Sequence, residues 1–293
     1  MNFSSIEKKL QKGRTPLAIC VPEEADALQA AKEAEESGAV KTILVGNREK
    51  ILTLIQQYTP GFQPEIVNTD SDEAAAKKCV ELVKTGDAKA LMKGTVSTPV
   101  FLKALLNSET GIKKGALLSH VFVFEWEGKF RFVTDGGMIP QPTLQEKKEI
   151  LLNALWLARS YSIENPKVAV ISAVETVNEK IQSTVDAAAI VAMGEKKEFG
   201  NCLINGPFAL DNAISVEAAH HKGIFSEVAG QADILLCPDI DTGNILGKSI
   251  LYFTNFRSGG LLIGAQVPVV MLSRSDTKQV RLDSIKLALS AGL

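Results

Sequence analysis

The segment VVMLSRSDTKQVRLDSIKLAL, residues 269–289, joins an apolar stretch to an amphipathic one through five polar residues, 273–277. The apolar stretch predicts a buried strand, and the apolar spacing of the second stretch predicts a helix. The polar residues therefore lie where a strand ends and a helix begins, which is where open α/β sheets bind ligands. Arg274 needs an anion at such a place. That anion is either a structural carboxylate or a phosphate held by the planar guanidinium and the hydroxyls beside it.

Strand-like and helix-like segments alternate along most of the chain. Short apolar runs such as PLAICV (16–21), KTILVG (41–46) and KVAVISA (167–173) are each followed by a helical pattern. This alternation predicts an α/β fold with a mainly parallel sheet that helices cover on both faces. The pattern changes at LLSHVFVFEWEGKFRFVTD (117–135), which predicts an antiparallel hairpin that turns around residues 127–129.

The segment DGGMIPQPT, 135–143, is irregular and rich in glycine and proline, which indicates a domain boundary within residues 135–142. The closing strand and helix can join either half of the chain. The next segment begins with Thr143 and Glu146, whose spacing predicts a capped, long helix.

Composition excludes several classes of protein. The chain has 293 residues, of which 45% are hydrophobic, and its formal net charge is -2, so a nucleic-acid partner is not expected. The apolar runs are too short to predict a membrane span, and the start of the sequence lacks an apolar signal core. The cysteines are scattered without metal-ligand spacing, so we expect reduced, buried thiols, no metal site and a cytoplasmic location. They are Cys20, Cys79, Cys202 and Cys237.

Common nucleotide-binding motifs are absent. The sequence contains no GxGxxG, and GNILGKS (243–249) has one residue too few between its glycines to form a P-loop. Polar residues that follow apolar strands are the better candidates for a site, and they lie at 93–98, 134–137, 172–173, 205–207, 238–244 and 273–277. Some of them have a purely structural alternative, since Ser97, Thr98, Ser273 and Asp276 can each cap a helix.

Seven segments, in order along nearly the whole chain, resemble the phosphate butyryltransferase branch of the phosphate acyltransferase family. They are MKGTVST (92–98), DGGMIPQPTLQEK (135–147), SAVETVNEKIQSTVDA (172–187), GPFALDNAIS (206–215), HKGI (221–224), PDIDTGNILGK (238–248) and VVMLSRSDT (269–277). The resemblance implies reversible transfer of an acyl group from acyl-CoA to inorganic phosphate, with both substrates bound together and no tightly bound cofactor.

The resemblance also implies an architecture. It consists of two three-layer α/β/α domains with a cleft between them, similar to isocitrate and isopropylmalate dehydrogenases. Domain I then comprises residues 1–136 and 262–293 and carries the Ser-Arg motif, whereas domain II comprises 137–261 and forms a homodimer or larger homo-oligomer.

Catalytic roles follow from the same resemblance. Ser273 matches a residue that contacts the carbonyl, and Arg274 matches one that contacts phosphate. In the acetyl branch of the family an aspartate acts as the general base, and its position corresponds to Ser284 here, so we expect the neighbouring Asp283, or else Asp276, to act as the base. The expected substrate-binding residues are Lys93, Thr95, Ser97, Thr98, Asp135, Ser172, Asp211, Asn244 and Ser275. Ile139 departs from the asparagine that relatives often have.

Three alternatives remain at this point. A phosphate acetyltransferase would use acetyl-CoA in place of butyryl-CoA. An NAD-dependent decarboxylating dehydrogenase would need an aspartate cluster for a metal and a nucleotide loop, neither of which is evident. A domain that only senses acyl-CoA or phosphate would not need the intact Ser273-Arg274 pair.

Overall fold

A computed structural model describes residues 1–10, 14–38, 40–273 and 275–291. In chain order its elements are α1 (Phe3–Leu10), β1 (Thr15–Cys20), α2 (Ala25–Glu36), β2 (Val40–Gly46), α3 (Arg48–Tyr58), β3 (Glu65–Asn68), α4 (Asp72–Lys84), β4 (Ala90–Lys93), α5 (Thr98–Leu105), β5 (Ser119–Trp126), β6 (Lys129–Thr134), α6 (Leu144–Ser160), β7 (Lys167–Ile171), α7 (Gln182–Glu195), β8 (Leu203–Phe208), α8 (Leu210–Ile214), α9 (Val216–His221), β9 (Ile234–Leu236), α10 (Ile240–Phe253), β10 (Ser258–Ile263), β11 (Val269–Val270) and α11 (Lys278–Ala291). This alternation confirms the predicted α/β class.

The chain forms two compact units. The terminal unit comprises residues 2–116 and 257–293, and the central unit comprises residue 1 and residues 117–256. The sequence places its boundaries later, at 136/137 and 261/262. The hairpin accounts for the first difference, because β6 pairs with β9 and so brings β5 and β6 into the central unit.

The sheet of the terminal unit has the strand order β3-β2-β1-β4-β11-β10. The first five strands are parallel, and only β10 runs antiparallel to its neighbour β11. Residues 17–20 of β1 are consecutive and all buried, which indicates that both faces of this sheet are covered. Helices α2 and α11 pack together, and α4 packs on β1.

The sheet of the central unit has the order β5-β6-β9-β7-β8, in which only β5 is antiparallel. The predicted hairpin is present, and its turn has positive φ angles at Glu127 (52°) and Gly128 (71°). Helix α6 begins as the sequence predicts, because Thr143 and Glu146 form a reciprocal capping box.

The closing strand is shorter than the sequence predicts. Of the apolar run at 267–272, only Val269 and Val270 form β11, and they pair with Leu91 and Met92 of β4. The helix that follows, α11, extends to Ala291 and buries most of its length. The polar segment 273–277 therefore lies between a short central strand and a long, well-packed helix.

Candidate active site

Two polar loops follow neighbouring strands at one edge of the sheet of the terminal unit. Strands β4 and β11 are parallel, with Met92 opposite Val270. Their carboxyl ends lead into residues 93–97 and 273–277, respectively. Because parallel neighbours end at the same edge, the structure brings these two predicted segments together at the position where α/β sheets bind ligands.

Ser273 and Asp276, two described residues of the segment 273–277, are joined by two hydrogen bonds; the amide of Asp276 donates to the carbonyl of Ser273 over 3.2 Å. The amide of Ser273 donates to Asp276 Oδ2 over 2.8 Å, and the hydroxyls of Ser273 and Ser275 lie 3.0 Å apart on the surface. The oxygen Thr277 Oγ1 accepts from the amide of Val280 over 3.3 Å. Thr277 therefore supplies the bond that caps α11, and both serine side chains, which are hydrogen-bonded to each other, are exposed.

Arg274 lies outside the described residues, so its contact with phosphate stays a prediction. The helix beside it favours an anion. The first turn of α11 contains Lys278 and Arg281 and no acidic residue. Both cations are paired with carboxylates of the same unit, Lys278 with Glu33 and Arg281 with Glu24, so the positive potential next to the serine hydroxyls comes from the N-terminus of α11 itself.

The loop after β4 approaches the backbone after β1 so closely that it requires glycine. A β-carbon on Gly94 would lie 2.2 Å from the carbonyl oxygen of Val21. That same oxygen accepts hydrogen bonds from the amide of Thr95 over 2.8 Å and from its hydroxyl over 3.1 Å. The Thr95 hydroxyl thus donates its proton to the carbonyl of Val21, and its oxygen can still accept a hydrogen bond from a ligand.

The other candidates in this loop have local roles. The oxygen Ser97 Oγ accepts from the amide of Val100 and caps α5, as the structural alternative predicts, and Thr98 is the first residue of that helix. Lys93 Nζ donates to the carbonyl of Gly94 over 3.2 Å.

The buried position of Asp283 does not suit a general base. Its side chain is completely buried, and both carboxylate oxygens accept hydrogen bonds from Arg257. Glu7 also accepts from Arg257, over 2.8 Å, so the three side chains form one network around α11. A general base has to reach the solvent or the substrate, which this position prevents.

In the central unit, Asp135 organises the loop that follows β6. Its buried carboxylate accepts hydrogen bonds from the amides of His120, Gly137, Met138 and Ile139. Burial raises the pKa of Asp135 above its usual range, although the amide hydrogen bonds act in the opposite direction. The carboxylate is therefore occupied by the backbone, which supports a role in shaping this loop.

Asn244 joins the same loop. Its Nδ2 donates to the carbonyl of Gly136 over 3.0 Å. Helix α10 approaches closely at this point, since a β-carbon on Gly243 would lie 2.3 Å from the carbonyl oxygen of Asp135. Position 243 therefore requires glycine because the two backbones approach closely. The side chain of Asn244 holds the loop after β6 through its hydrogen bond.

Asp211 lies in a charged cluster that sequence reasoning did not find. Lys222 Nζ lies 3.0 Å from Asp211 and 2.6 Å from Glu175, and Asn212 also donates to Glu175. The hydrogen bond from Lys222 lowers the pKa values of both carboxyl groups, and the carboxylates raise the pKa of Lys222. Glu175 and Lys222 both occur within the strings that carry the resemblance, which was the available signal.

Ser172 follows β7 and is buried. Its hydroxyl lies 2.7 Å from that of Ser183 near the start of α7, and its amide donates to the carbonyl of Phe208. Because β6, β7, β8 and β9 are parallel, Ser172 lies at the same edge of the sheet as Asp135 and Asp211.

An open depression lies at the carboxyl ends of β1, β2 and β3, with an empty volume of about 300 Å³. Its lining includes Glu23, Asn47, Lys50, Asp70 and Asp72. Lys50 and Glu23 form an ion pair of 3.1 Å, and Asn47 caps α3. The remaining carboxylates give the depression an acidic surface, which disfavours an anionic ligand.

Neither a metal-binding cluster nor a membrane-spanning helix is present among the described residues. No group of three or more His, Cys, Asp or Glu side chains in these residues could hold a metal ion. None of the described helices is long and apolar enough to cross a membrane.

Residues 52–289 match the family described as phosphate acetyl/butaryl transferase. The chain belongs to this family. It is 42% identical over 291 residues to a phosphate butyryltransferase of Clostridium acetobutylicum, which covers 98% of this chain and 97% of the relative. A phosphate acetyltransferase of Rhizobium meliloti is 39% identical and covers 92% of this chain and 86% of the relative.

Among solved structures, a branched-chain phosphotransacylase from Enterococcus faecalis V583 is similar, with a TM-score of 0.86 and 33% identity. The match covers 95% of this chain and 99% of that chain. Family membership confirms the resemblance on which the sequence analysis relied. It favours acyl transfer over the alternative of a decarboxylating dehydrogenase.

Proposed function

We propose that the protein transfers a short acyl group between CoA and inorganic phosphate, with butyryl-CoA preferred over acetyl-CoA. An oxygen of phosphate attacks the thioester carbonyl, the carbon–sulfur bond breaks, and the products are butyryl phosphate and CoA. Both substrates are bound together, without a covalent acyl-enzyme or a tightly bound cofactor, and a cytoplasmic location suits them. The finer fold that accompanies this proposal is the pair of three-layer α/β/α domains similar to isocitrate and isopropylmalate dehydrogenases.

The observation that carries this proposal is the turn at 273–277. It presents the exposed hydroxyls of Ser273 and Ser275 at the N-terminus of α11, beside the loop that follows β4. Phosphate and acyl-CoA are both anionic and repel each other. A positive helix end with two hydroxyl donors offsets that repulsion and holds the phosphate in one orientation, which lowers the entropic cost of the reaction.

We assign Arg274 to phosphate and Ser273 to the thioester carbonyl, where negative charge develops during the attack. In the reverse direction the CoA thiol has to lose a proton. Asp276 is the better base, since it is partly exposed and, among the described residues, the hydrogen bond that it accepts is the one from the Ser273 amide to Oδ2. The burial of Asp283 argues against the alternative.

The remaining predicted contacts divide into two groups. Thr95 and Ser275, which are exposed, are proposed to contact the substrate, and Lys93 is proposed as a phosphate or CoA contact. Ser97, Thr98, Asp135, Ser172, Asp211 and Asn244 are proposed to act mainly by shaping the loops that bind substrate. Within this group, Asp211 acts together with Lys222.

The preference for a four-carbon acyl group rests on the resemblance and on the relatives. The C. acetobutylicum relative is named for butyryl transfer, and the R. meliloti relative is named for acetyl transfer. Their identities to this chain differ little, so direct measurement has to decide between the two acyl groups.

We also propose that the protein is a homodimer or larger homo-oligomer through the central unit. Helix α10 has two different faces. Leu246 and Ile250 pack on the core, whereas Ile245 (66% exposed), Tyr252 (61%) and Phe253 (87%) face outward. The i, i+7 spacing of Ile245 and Tyr252 places these two on one side of the helix, and Phe253 is exposed where the helix ends. A second copy that presents the same face would bury them in a self-complementary contact.

One assay tests the enzymatic proposal. Purified protein is mixed with butyryl-CoA and phosphate, and thiol release is followed with a colour reagent. Thiol release that depends on phosphate, or on arsenate in its place, is expected, with a higher kcat/KM for butyryl-CoA than for acetyl-CoA. No release from any short acyl-CoA would refute acyl transfer, and a preference for acetyl-CoA would refute only the acyl assignment.

A further inference from the structure

Helix α11 buries an arginine beside the proposed site. Arg281 is 4% exposed, and its Nη1 lies 3.1 Å from Glu24 Oε1. Within the described part of the chain its Nε is buried without a hydrogen-bond partner. A buried arginine with one unsatisfied donor costs free energy, so the residue needs a reason beyond filling space.

An apolar residue would suit this position better if packing were the only requirement. Most buried residues of α11, such as Ile285, Leu287 and Leu289, are apolar. A cation in the first turn of a helix is also opposed by the helix dipole. An arginine differs from an apolar residue because its planar guanidinium fixes the position of the carboxylate that it binds.

The carboxylate that Arg281 binds belongs to a strained loop. Glu24 ends the loop between β1 and α2, and its side chain makes no capping bond to its own helix. Val21, at the start of this loop, has a φ of 51°, which is rare for a β-branched residue. Such a conformation persists only where the surrounding structure holds it, and Val21 presents its carbonyl to Thr95.

The backbone of Arg281 is linked to the proposed phosphate turn. Its amide donates to the carbonyl of Thr277 over 3.1 Å. Thr277 is the last residue of the turn that contains Ser273 and Ser275. Arg281 thus contacts Thr277 through its main chain and the loop after β1 through its side chain, and Val21 of that loop contacts the loop after β4.

We infer that Arg281 is a positioning residue for phosphate. Its ion pair with Glu24 fixes the 273–277 turn relative to the strained loop and therefore relative to Thr95. Arg281 does not touch the substrate in this role. The inference rests on the proposed function and adds a residue that the resemblance does not assign.

The test compares three variants with a matched control by steady-state kinetics, with phosphate and butyryl-CoA varied separately. Arg281→Met removes the ion pair, Arg281→Lys keeps the charge, and Glu24→Gln neutralises the partner. Lys278→Met is the control. Lys278 of α11 forms an exposed ion pair of 2.6 Å with Glu33 of α2, the helix that Glu24 precedes. Melting temperatures are measured for all four.

We expect Arg281→Met to raise the KM for phosphate about fivefold or more, the size expected when one oriented contact is weakened, with little change in the KM for butyryl-CoA. Arg281→Lys should restore part of the loss. Adding Glu24→Gln to Arg281→Met should have little further effect, since both changes remove one interaction. Lys278→Met should leave both KM values unchanged.

A purely structural role would lower the melting temperature and the active fraction but would move neither KM. That result, or an equal effect of Lys278→Met, would overturn the inference while the wild-type activity stands. If Arg281→Met does not fold, the KM for phosphate is compared in Arg281→Lys and Glu24→Gln, and unchanged values in both would overturn the inference. An inactive wild-type protein would refute the proposed function and this inference with it.

Discussion

Arg257 holds the buried carboxylate of Asp283 with two hydrogen bonds, the one from Nε measuring 3.2 Å. The same arginine contacts Glu7 and lies over the ring of Phe3, 4.3 Å from its centroid. This relationship keeps the carboxylate of Asp283 away from solvent, unlike the partly exposed Asp276. It fastens α11, and with it the turn that precedes this helix, to β10 and α1.

We therefore expect Asp283→Asn to affect stability. The change removes the buried charge that Arg257 binds, but Arg257 keeps Glu7 as a partner, so the expected cost is roughly 1.5–3 kcal/mol, the range for a hydrogen bond to a charged group. Urea denaturation followed by circular dichroism should show that loss, and the KM values of the folded variant should be normal. Asp276→Asn is the matched comparison and should lower kcat in the CoA-consuming direction at least about tenfold with little loss of stability. The opposite pattern would identify Asp283 as the base.

Arg274→Ala should lower kcat or raise the KM for phosphate at least about tenfold, because a charge-assisted hydrogen bond contributes ~1.4 kcal/mol or more. The comparison is Arg48→Ala, which removes an exposed arginine from α3 in the same unit and should leave the kinetic constants unchanged. Kinetics with varied phosphate make the measurement. Wild-type constants for Arg274→Ala would assign this arginine to a structural ion pair.

Gly94→Ala should disrupt the loop after β4. The new β-carbon would lie 2.2 Å from a backbone oxygen that cannot rotate away, so strand or loop has to shift, at a cost of roughly 1–3 kcal/mol. Activity should fall as Thr95 moves. Gly247→Ala, whose β-carbon would be 3.7 Å from Phe122, is the control and should keep both activity and stability. Thermal unfolding and the thiol assay measure the two effects, and a neutral Gly94→Ala would contradict the contact.

Phe253→Asp should shift the protein toward monomers, because a charge on the exposed face of α10 opposes its burial against a second copy. Sedimentation velocity over a range of concentrations measures the change. Leu52→Asp places the same charge at an exposed apolar position of α3 and should not alter assembly. A wild-type monomer, or an oligomer that tolerates Phe253→Asp, would rule out self-association through this face.

Local patterns predicted much of the fold correctly. The hairpin around Glu127–Gly128, the capping box of Thr143 and Glu146 and the alternation of strands and helices are all present, because each depends on residues close together in the chain. The domain boundary was harder, since it depends on β6 pairing with β9, whose residues are about a hundred positions apart.

The candidate site divides in the same way. The sequence by itself determined that polar residues at 93–97 and 273–277 follow buried strands, and the order of its motifs determined the family. Only the tertiary structure decided that β4 and β11 are neighbours, that Asp283 is sealed against Arg257, and that Lys222 joins two carboxylates. The reason is physical: strand order, burial and ion pairing depend on which distant segments pack together, and no local periodicity encodes that choice.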